Sequence, residues 1–385
     1  MAKILVSSAS YILSDHLLTS EGTHCYNLFK HLAKYGYEFT ALSPYVRIRK
    51  KLENVDVHQV GTFKLSPTSS SLYKYVFHAE SLARGLITAK KLLRKEKFDI
   101  VHHMLPAVFN YTFSPLALLE KNLKQPFVFG PLSSHYYMRP LNERTLMPLT
   151  SRLHRKTIQK SDRIITISNQ VKTLYTKLIS PTKISVIPFG IDTDVFRPTH
   201  RNQQQNQFSI LYAGWLYPLK GLPYLIQAVA RTKKLGLNIK LKIVGEGKQK
   251  QELRALARKL GVEQNIVFQG VVPYSHMPRQ YQECDAFCFP TLGEPLGKGL
   301  IEAMSCGKPV IASNIGGPTE IVQNEVNGLL VPSGNPEALA EKIMMLANDE
   351  NARRRMGARA RETVLARFSW QVIAEKHHRL YSKLL

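Results

Sequence analysis

Residues 290–331 read PTLGEPLGKGLIEAMSCGKPVIASNIGGPTEIVQNEVNGLLV. Gly297 and Gly299 leave backbone amides bare before LIEAMSC, which predicts the start of a buried helix. Residues 308–313 predict a short apolar strand, and Gly316-Gly317-Pro318 then opens a second helix. An open helix N-terminus exposes unpaired N–H groups at the positive end of the helix dipole, so it attracts anions such as phosphate. Two strand–glycine–helix units in succession therefore predict an edge where a parallel sheet meets a ligand.

Two carboxylates, Glu294 and Glu302, flank the first of these helix starts. Carboxylates are badly placed there for a bare phosphate, but they accept hydrogen bonds from hydroxyl groups, in which sugars are rich. The pair therefore indicates a nucleotide-sugar site. Glycine turns between strands and helices are common, so the spacing of the two glutamates alone is also compatible with an ordinary loop.

The order of residues across this stretch resembles the signature of the family 4 retaining glycosyltransferases. In that family an E-P-F-G-x-x-x-x-E-A-M-A-x-G-x-P-V core precedes G-G-x-x-E and N-G. The matching positions here are Glu294-Pro295-Leu296-Gly297, Glu302-Ala303-Met304, Gly307-Lys308-Pro309-Val310, Gly316-Gly317, Glu320 and Asn327-Gly328. The resemblance implies an α/β fold of the GT-B type, with two Rossmann-like doubly wound domains facing a central cleft.

The resemblance also implies a reaction. A hexosyltransferase-type enzyme would move a sugar from a nucleotide-diphosphate sugar, a UDP- or GDP-sugar, with retention of the anomeric configuration. The acceptor would be lipid-linked or a growing glycan, in cell-envelope (lipopolysaccharide) or exopolysaccharide biosynthesis. The leaving phosphate could itself take the acceptor's proton, so the protein would supply charge stabilisation and positioning. No cofactor would be tightly bound, and enzymes of this fold do not require a divalent ion.

The alternation of strands and helices divides the chain into two halves of similar plan. Residues 1–190 form the expected acceptor-binding domain, 191–207 a polar linker, and 208–366 the nucleotide-sugar-binding domain. Residues 367–385 predict a last helix, which by resemblance crosses back to the first domain. A basic segment at 43–72 is expected to be irregular. The expected strands are 3–8, 38–42, 99–103, 125–129, 161–167 and 184–187, then 208–213, 239–244, 266–269, 286–289, 309–312 and 328–331.

The segment LYAGWLYPLKG, residues 211–221, predicts a strand, a glycine turn and a helix entry. Lys220 stands where a cation could hold a diphosphate beside backbone amides, although a solvated lysine also fits. The resemblance aligns this segment with G-R-x-x-x-x-K-G, in which the Arg and the Lys both clamp the diphosphate. Gly214, Lys220 and Gly221 match, but Trp215 occupies the Arg position and cannot neutralise phosphate. We expect Trp215 to pack in the core or to cover the loop.

The resemblance assigns the remaining donor contacts. Gly245 would shape the turn after a strand, and the backbone near Val272 would meet the base. Glu302 would hold the ribose hydroxyls. Lys298 is unusual in this loop, and we expect it to supply the charge missing from the Arg position. Glu294 would hold the transferred sugar and its phosphate, together with the amides of Leu296, Gly297, Lys298 and Gly299.

The first domain offers weaker indications. Gly22 ends a polar loop where a phosphate or an acceptor could approach the backbone. Relatives place a histidine near the sugar at the position that is Gly130 here, so His102, His103 and His135 are the available substitutes. We prefer His103, with a purely structural role as the alternative. The expected catalytic residues are Glu294, Lys220 and His103.

Charge is unusual, with 53 Lys and Arg against 28 Asp and Glu and a net charge of +25. The larger share of the surplus lies in residues 1–190, which predicts contact with an anionic membrane surface through that half, including a basic amphipathic helix at 146–160. A generally basic surface is the alternative. Nucleic acid is not favoured, because no binding motif and no interleaving of aromatic and basic residues is present.

Localisation follows from what the sequence lacks. Met1 leads directly into a predicted strand rather than a signal peptide, and no apolar run approaches the length of a membrane span. The four cysteines show no metal-ligand spacing and predict buried free thiols. These features predict a cytoplasmic protein, peripheral at the inner face of the cell membrane.

Other functions on the same fold stay open. A sucrose-type synthase would keep the donor site and change the acceptor, whereas the signature argues against a sugar epimerase. Trp215 and Gly130 favour a catalytically weakened partner subunit. The presence of both Glu294 and Glu302 argues against that loss of activity.

Overall fold

The computed structural model describes residues 1–9, 12–16, 22–61, 71–104, 113–120, 123–133, 147–199 and 207–385. They form two compact units. The first comprises Met1–Gly190 with Trp370–Leu385, and the second Ile191–Ser369. Residues 191–199, which the sequence analysis placed in the linker, group with the second unit, where Phe196 is buried.

Helices and strands alternate along the chain. The first unit contains β1 (Ala2–Ser8), β2 (Ile12–Ser14), α1 (Gly22–Leu32), β3 (Tyr37–Ser43), β4 (Tyr45–Arg47), β5 (Val55–Gln59), α2 (Ser71–Lys95), β6 (Ile100–His103), α3 (Pro115–Leu119), β7 (Phe127–Leu132), α4 (Met147–Gln159), β8 (Arg163–Thr166), α5 (Asn169–Tyr175) and β9 (Ile184–Val186). The second contains β10 (Phe208–Ala213), α6 (Leu222–Lys234), β11 (Ile239–Val244), α7 (Lys250–Lys259), β12 (Ile266–Gly270), α8 (Met277–Gln282), β13 (Ala286–Phe289), α9 (Lys298–Ser305), β14 (Val310–Ser313), α10 (Pro318–Ile321), β15 (Leu329–Val331), α11 (Pro336–Asn348) and α12 (Glu350–Arg367). The last helix, α13 (Trp370–Tyr381), belongs to the first unit.

Seven strands of the first unit form a parallel sheet in the order β5-β3-β1-β6-β7-β8-β9. From β1 the chain builds outward to one edge, and from β6 it builds outward to the other. Because the order reverses between β1 and β6, the carboxyl ends of these two strands border the crevice at which doubly wound sheets bind ligands.

Strand β5 lies in the segment that was expected to be irregular, so that expectation was wrong. The strand is at the edge of the sheet, and its sequence alternates between Val55 and Val57, which pack against the core, and Asp56 and His58, which do not. An edge strand needs only this short alternation, whereas the central strands of a parallel sheet are apolar throughout. Because this alternation is short and lies in a basic segment, the sequence gives only a weak signal for a strand here.

The C-terminal helix completes the core of the first unit. Trp370, Ile373 and Tyr381 of α13 are buried among residues of α1 and the sheet. Gly190 permits this packing, since a Cβ atom there would lie 2.4 Å from Cε3 of Trp370. Residues far apart in sequence thus share one hydrophobic core.

The second unit contains a six-stranded parallel sheet in the order β12-β11-β10-β13-β14-β15. Counted within the unit, this is the order 3-2-1-4-5-6 of dinucleotide-binding folds, which reverses between β10 and β13. Helices α6 and α11 pack together, as do α9 and α12. The four cysteines, Cys25, Cys284, Cys288 and Cys306, are buried free thiols, which confirms the prediction made for them.

Candidate functional site

The loops that follow β10 and β13 meet where the strand order of the second sheet reverses. Leu292 N–H donates a hydrogen bond of 2.8 Å to the carbonyl of Leu219, and the Thr291 hydroxyl donates to the same oxygen at 3.1 Å. Gly221 lies between the loops with φ +68°, and a Cβ atom there would lie 1.9 Å from the carbonyl oxygen of Pro290. This close approach explains why a glycine follows Lys220.

The two loops bring Lys220 and Glu294 together. The ammonium of Lys220 donates to Oε2 of Glu294, and the two side chains are 20% and 13% exposed. The same ammonium lies 5.9 Å from the ring centroid of Phe289, the last residue of β13. Two residues that are 74 positions apart in the sequence thus form one partly buried ion pair at the carboxyl edge of the sheet.

Glu302 lies on α9 and is only 5% exposed. Its carboxylate accepts a hydrogen bond of 2.6 Å from Tyr274 and one of 2.8 Å from Tyr281. Burial raises the pKa of Glu302, and the charge of Lys298 and both hydrogen bonds oppose that rise. Sequence reasoning missed the two tyrosines, because they precede β13 and only the folded sheet brings them to α9.

Lys298 begins α9, and its ammonium lies 5.3 Å above the ring of Tyr274. The charge of Lys298 acts on Glu302, whose pKa it lowers. The structure therefore places the unusual lysine beside the Glu302 carboxylate.

The turns after β10, β11 and β12 pack against one another through glycines. Gly214 N–H donates to Val244 O at 3.0 Å, and Gly245 N–H donates to Gly270 O at 2.8 Å. Gly245 has φ +135°, and a Cβ atom there would lie 1.9 Å from Gly214 O. Val272, which follows these turns, is half-buried. A side chain at Gly245 would therefore clash with the turn after β10.

The loop before α9 is held by the second glycine turn. Gly317 N–H donates to Glu294 O at 2.7 Å, and a Cβ atom on Gly317 would lie 2.4 Å from Cα of the buried Leu296. Gly297 has φ +96° and precedes α9 without a side chain to cap it, while Gly299 lies in the first turn of the helix. The N-terminus of α9 is therefore held in place by backbone contacts.

Trp215 is 60% exposed, so of its two expected roles packing in the core was wrong, and covering the loop stays a prediction. Its ring stacks on that of Tyr217, with centroids 5.9 Å apart and an interplanar angle of 17°. Between them Leu216 is fully buried, so the side chains of the turn alternate between solvent and core.

In the first unit, His103 ends β6 at the reversal of the strand order. It is buried, and its Nδ1 lies 3.0 Å from the hydroxyl of Ser7; burial lowers its pKa to about 3. His102 points elsewhere, with Nδ1 2.7 Å from the Tyr381 hydroxyl and Nε2 2.9 Å from the carbonyl of Gly130. His102 is thus held by α13 and β7, which gives it a structural role.

Two sequence-predicted positions lie at or beyond the limits of the described residues. Gly22 is the first residue of α1, and residues 17–21 before it lie outside the described residues, as does His135.

Across the described ranges, no group of three or more His, Cys, Asp or Glu side chains could hold a metal ion. Among the same residues, no helix has the length and apolarity needed to cross a bilayer.

Two protein-family models match consecutive parts of the chain. The model described as Glycosyltransferase Family 4 matches residues 22–195, and the model described as Glycosyl transferases group 1 matches residues 196–363. The chain belongs to family 4 of the glycosyltransferases. The resemblance drawn from the sequence signature is confirmed.

Curated glycosyltransferases share sequence with this family 4 chain. An uncharacterized glycosyltransferase of Methanocaldococcus jannaschii is 34% identical over 46% of this chain and 45% of its own length. The GDP-mannose-dependent alpha-(1-6)-phosphatidylinositol monomannoside mannosyltransferase of Mycobacterium tuberculosis is 28% identical over 72% of this chain and 76% of its own. The chain thus spans about half of the first relative and three quarters of the second.

Solved structures share the fold. Sucrose-phosphate synthase from Thermosynechococcus elongatus superimposes with a TM-score of 0.74 at 21% identity, covering 100% of this chain and 99% of that chain. The HepE protein of Anabaena in complex with UDP-glucose gives a TM-score of 0.70 at 20% identity, with 100% of both chains covered. Together with the two parallel sheets, these likenesses confirm the GT-B fold.

Proposed function

We propose that this chain is a retaining, hexosyltransferase-type enzyme. It moves a sugar from a UDP- or GDP-sugar to a lipid-linked or growing glycan acceptor in cell-envelope or exopolysaccharide biosynthesis. The observation that carries the proposal is the meeting of Lys220, Glu294 and the N-terminus of α9 at the reversal of the second sheet. Relatives that use GDP-mannose and a neighbour that binds UDP-glucose support the donor class.

The proposed roles follow from charge and position. Lys220 and the amides of residues 296–299 stabilise the diphosphate as negative charge develops on it. Glu294 accepts hydrogen bonds from hydroxyls of the transferred sugar, and Glu302 accepts them from the ribose. Because Glu294 neutralises Lys220 when no donor is bound, a diphosphate enters by sharing that ammonium.

The proposed transfer needs no general base from the protein. The bond between the sugar's anomeric carbon and the diphosphate oxygen breaks as the acceptor oxygen attacks on the same face. The acceptor's proton passes to the leaving diphosphate. His103 is proposed to position a substrate hydroxyl by hydrogen bonding, with its imidazole neutral at physiological pH because it is buried.

Donor binding and turnover across UDP- and GDP-sugars test the proposal. We expect one donor to bind and to turn over, and Lys220→Ala and Glu302→Ala each to reduce kcat/KM at least about 100-fold. Lys234→Ala is the matched control, since Lys234 is an exposed lysine at the far end of α6. Donor binding without turnover would instead support the weakened partner subunit, and no binding by the folded protein would refute the proposal.

We also propose that the enzyme is cytoplasmic and associates peripherally with the inner face of the cell membrane. Helix α4 exposes Arg152, Arg155 and Lys156, while Leu153 is half-buried and Ile158 is buried in the first unit. The apolar side of this helix therefore packs against the first unit and is not available to insert into a bilayer. Contact with anionic headgroups would be electrostatic, without insertion.

Sedimentation with vesicles tests the membrane contact. We expect binding to phosphatidylcholine vesicles that contain phosphatidylglycerol, loss of binding at high salt, and weaker binding when Arg152, Arg155 and Lys156 are replaced by serine. A triple serine variant at Lys234, Arg258 and Lys259 of the second unit removes the same charge and serves as the control. Equal loss in both variants would indicate a general effect of net charge.

A further inference from the structure

An exposed aromatic surface lies on the turn that ends at Lys220. Trp215, Tyr217 and Leu219 are 60%, 40% and 38% exposed, and the two rings stack nearly parallel. Single exposed hydrophobic residues are ordinary, whereas exposed apolar side chains that lie together can mark ligand contacts, and this turn presents two stacked rings with the exposed Leu219 two residues further on. We call Trp215 and Tyr217 the aromatic pair.

The backbone beneath the aromatic pair is fixed. The Tyr212 hydroxyl donates to Trp215 O at 2.9 Å, and Lys220 N–H donates to Tyr217 O at 2.9 Å. The buried Leu216 donates its N–H to Glu246 O at 2.9 Å, and its own carbonyl oxygen accepts from the N–H of Gln249, the residue before α7, at 3.1 Å. A surface held this firmly loses little conformational entropy when a ligand covers it.

The chemistry of the aromatic pair indicates which part of a nucleotide sugar it would contact. Indole and phenol rings carry no positive charge, so they do not replace an arginine at the diphosphate. Their π-faces are negative, and they attract the C–H groups that cover one face of a pyranose ring. The pair shares its turn with Lys220, whose partner Glu294 is the residue proposed for the transferred sugar. The base is assigned elsewhere, at the turn after β12.

The geometry points to the aromatic pair as a stacking surface for the sugar ring of the nucleotide-sugar donor, with Trp215 as its principal member. The inference rests on the proposed function, which supplies the donor. It also explains why position 215 is a tryptophan rather than the arginine of the family signature. The positive charge that the arginine would place beside the diphosphate is replaced by an apolar contact with the sugar. The pair thereby contributes to the choice of donor sugar.

Calorimetric affinities for UDP and UDP-glucose, and for GDP and GDP-mannose, test the inference. For the pair of ligands that the wild type binds, we expect Trp215→Ala to weaken the sugar nucleotide about tenfold and to leave the nucleoside diphosphate within about twofold. Trp215→Phe keeps an aromatic face and should recover most of the loss. Leu235→Ala, at the opposite end of α6 and 67% exposed, is the control for removing an exposed apolar side chain.

Fluorescence gives a second readout, because the chain has two tryptophans and Trp370 is buried in the first unit. The difference between the wild type and Trp215→Phe reports Trp215 alone. We expect the sugar nucleotide, and not the nucleoside diphosphate, to protect Trp215 from quenching by acrylamide.

Four outcomes would overturn the inference. Equal losses for both ligands would place the pair at the base or the diphosphate. Unchanged affinities would remove it from the donor site, and failure of Trp215→Phe to recover binding would argue against stacking. If the folded wild type binds none of the four ligands, the proposed function fails together with the inference.

Discussion

Glu302 is a buried carboxylate whose charge depends on its neighbours. Tyr274 and Tyr281 donate hydrogen bonds to it, and the ring of Phe196 packs against both tyrosines, with centroids 5.5 and 6.1 Å away. Burial raises the pKa of Glu302, while hydrogen bonds to the charged form lower it. The tyrosines and Lys298 therefore set the pH above which Glu302 is a carboxylate.

Tyr274→Phe and Tyr281→Phe test whether the two tyrosines set the pKa of Glu302. Each substitution removes one hydrogen bond to the charged form, so the pKa of Glu302 should rise further and the acid limb of kcat/KM should move to higher pH. We also expect a loss of about 1–3 kcal/mol in the free energy of unfolding, because a buried oxygen loses its partner. Tyr224→Phe, at a half-buried tyrosine of α6, is the control. An acid limb that stays in place in both variants would show that Glu302 does not act as a carboxylate in the reaction.

Lys298 contributes a positive charge beside Glu302, and its removal is expected to change the apparent KM for the donor. We expect Lys298→Ala to raise the apparent KM for the donor strongly, with Lys298→Arg retaining most of the wild-type value because the positive charge is kept. Steady-state kinetics with the donor identified by the panel measures this change. An unchanged KM in Lys298→Ala would exclude Lys298 from donor binding.

At the scale of elements, the site depends on how closely the strand–turn–helix units approach one another. Gly221 and Gly261 have almost the same backbone conformation, with φ +68° and +69°. A Cβ atom on Gly221 would lie 1.9 Å from Pro290 O, whereas one on Gly261 would meet nothing within 4 Å. Alanine substitutions at the two glycines therefore distinguish the destabilisation caused by the left-handed backbone from the destabilisation caused by steric contact.

We predict that Gly261→Ala lowers the free energy of unfolding by about 1–2 kcal/mol, the cost of a left-handed residue. Gly221→Ala should cost clearly more, because the loop at Pro290 must move, and it should also weaken donor binding. Urea unfolding and donor titration measure the two effects. Equal destabilisation by both substitutions would contradict the contact seen at Gly221.

At the scale of the whole molecule, buried histidines join the C-terminal helix to the rest of the first unit. His102 lies between Tyr381 of α13 and Gly130 of β7, and His377 bonds through Nδ1 to the carbonyl of Ile373. Burial lowers the pKa of His102 to about 3 and that of His377 to about 4. Both imidazoles are therefore neutral in the folded protein at physiological pH.

These histidines predict acid sensitivity of the first unit. The folded pKa values lie below the unfolded value of 6.5, so between about pH 6.5 and pH 4 the unfolded chain binds protons that the folded unit does not. Stability should therefore be fully present above pH 6.5 and should fall with pH by about 1.4 kcal/mol per unit for each histidine. In Trp215→Phe the emission of Trp370 reports this unfolding.

His102→Gln provides the comparison. It should be less stable than the parent at pH 7.5 but should show a shallower decline toward pH 4. His378→Gln serves as the control, since the ring of His378 is half-buried against Tyr35 and Tyr37. If the declines are equally steep in the parent and in His102→Gln, proton uptake by His102 is not part of acid unfolding.

Much of the architecture is a property of the sequence by itself. The apolar strands of both sheets, the glycines between strands and helices, and the family signature around Glu294 and Glu302 are local patterns. They predicted the parallel α/β plan because strand and helix periodicity are set by neighbouring residues. The edge strand β5 was missed because its alternation is short and half polar.

The tertiary structure alone decided which side chains meet. No local pattern joins Tyr274 and Tyr281 to Glu302, or His102 to Tyr381, because those contacts depend on the order of strands and on the packing of α13. Trp215 illustrates the same limit. Packing in the core was one of the two roles expected for it, yet the adjacent Leu216 is buried and Trp215 is 60% exposed. Burial is decided by the direction in which each Cβ points once the turn is built, and that direction is fixed by contacts with residues distant in the sequence.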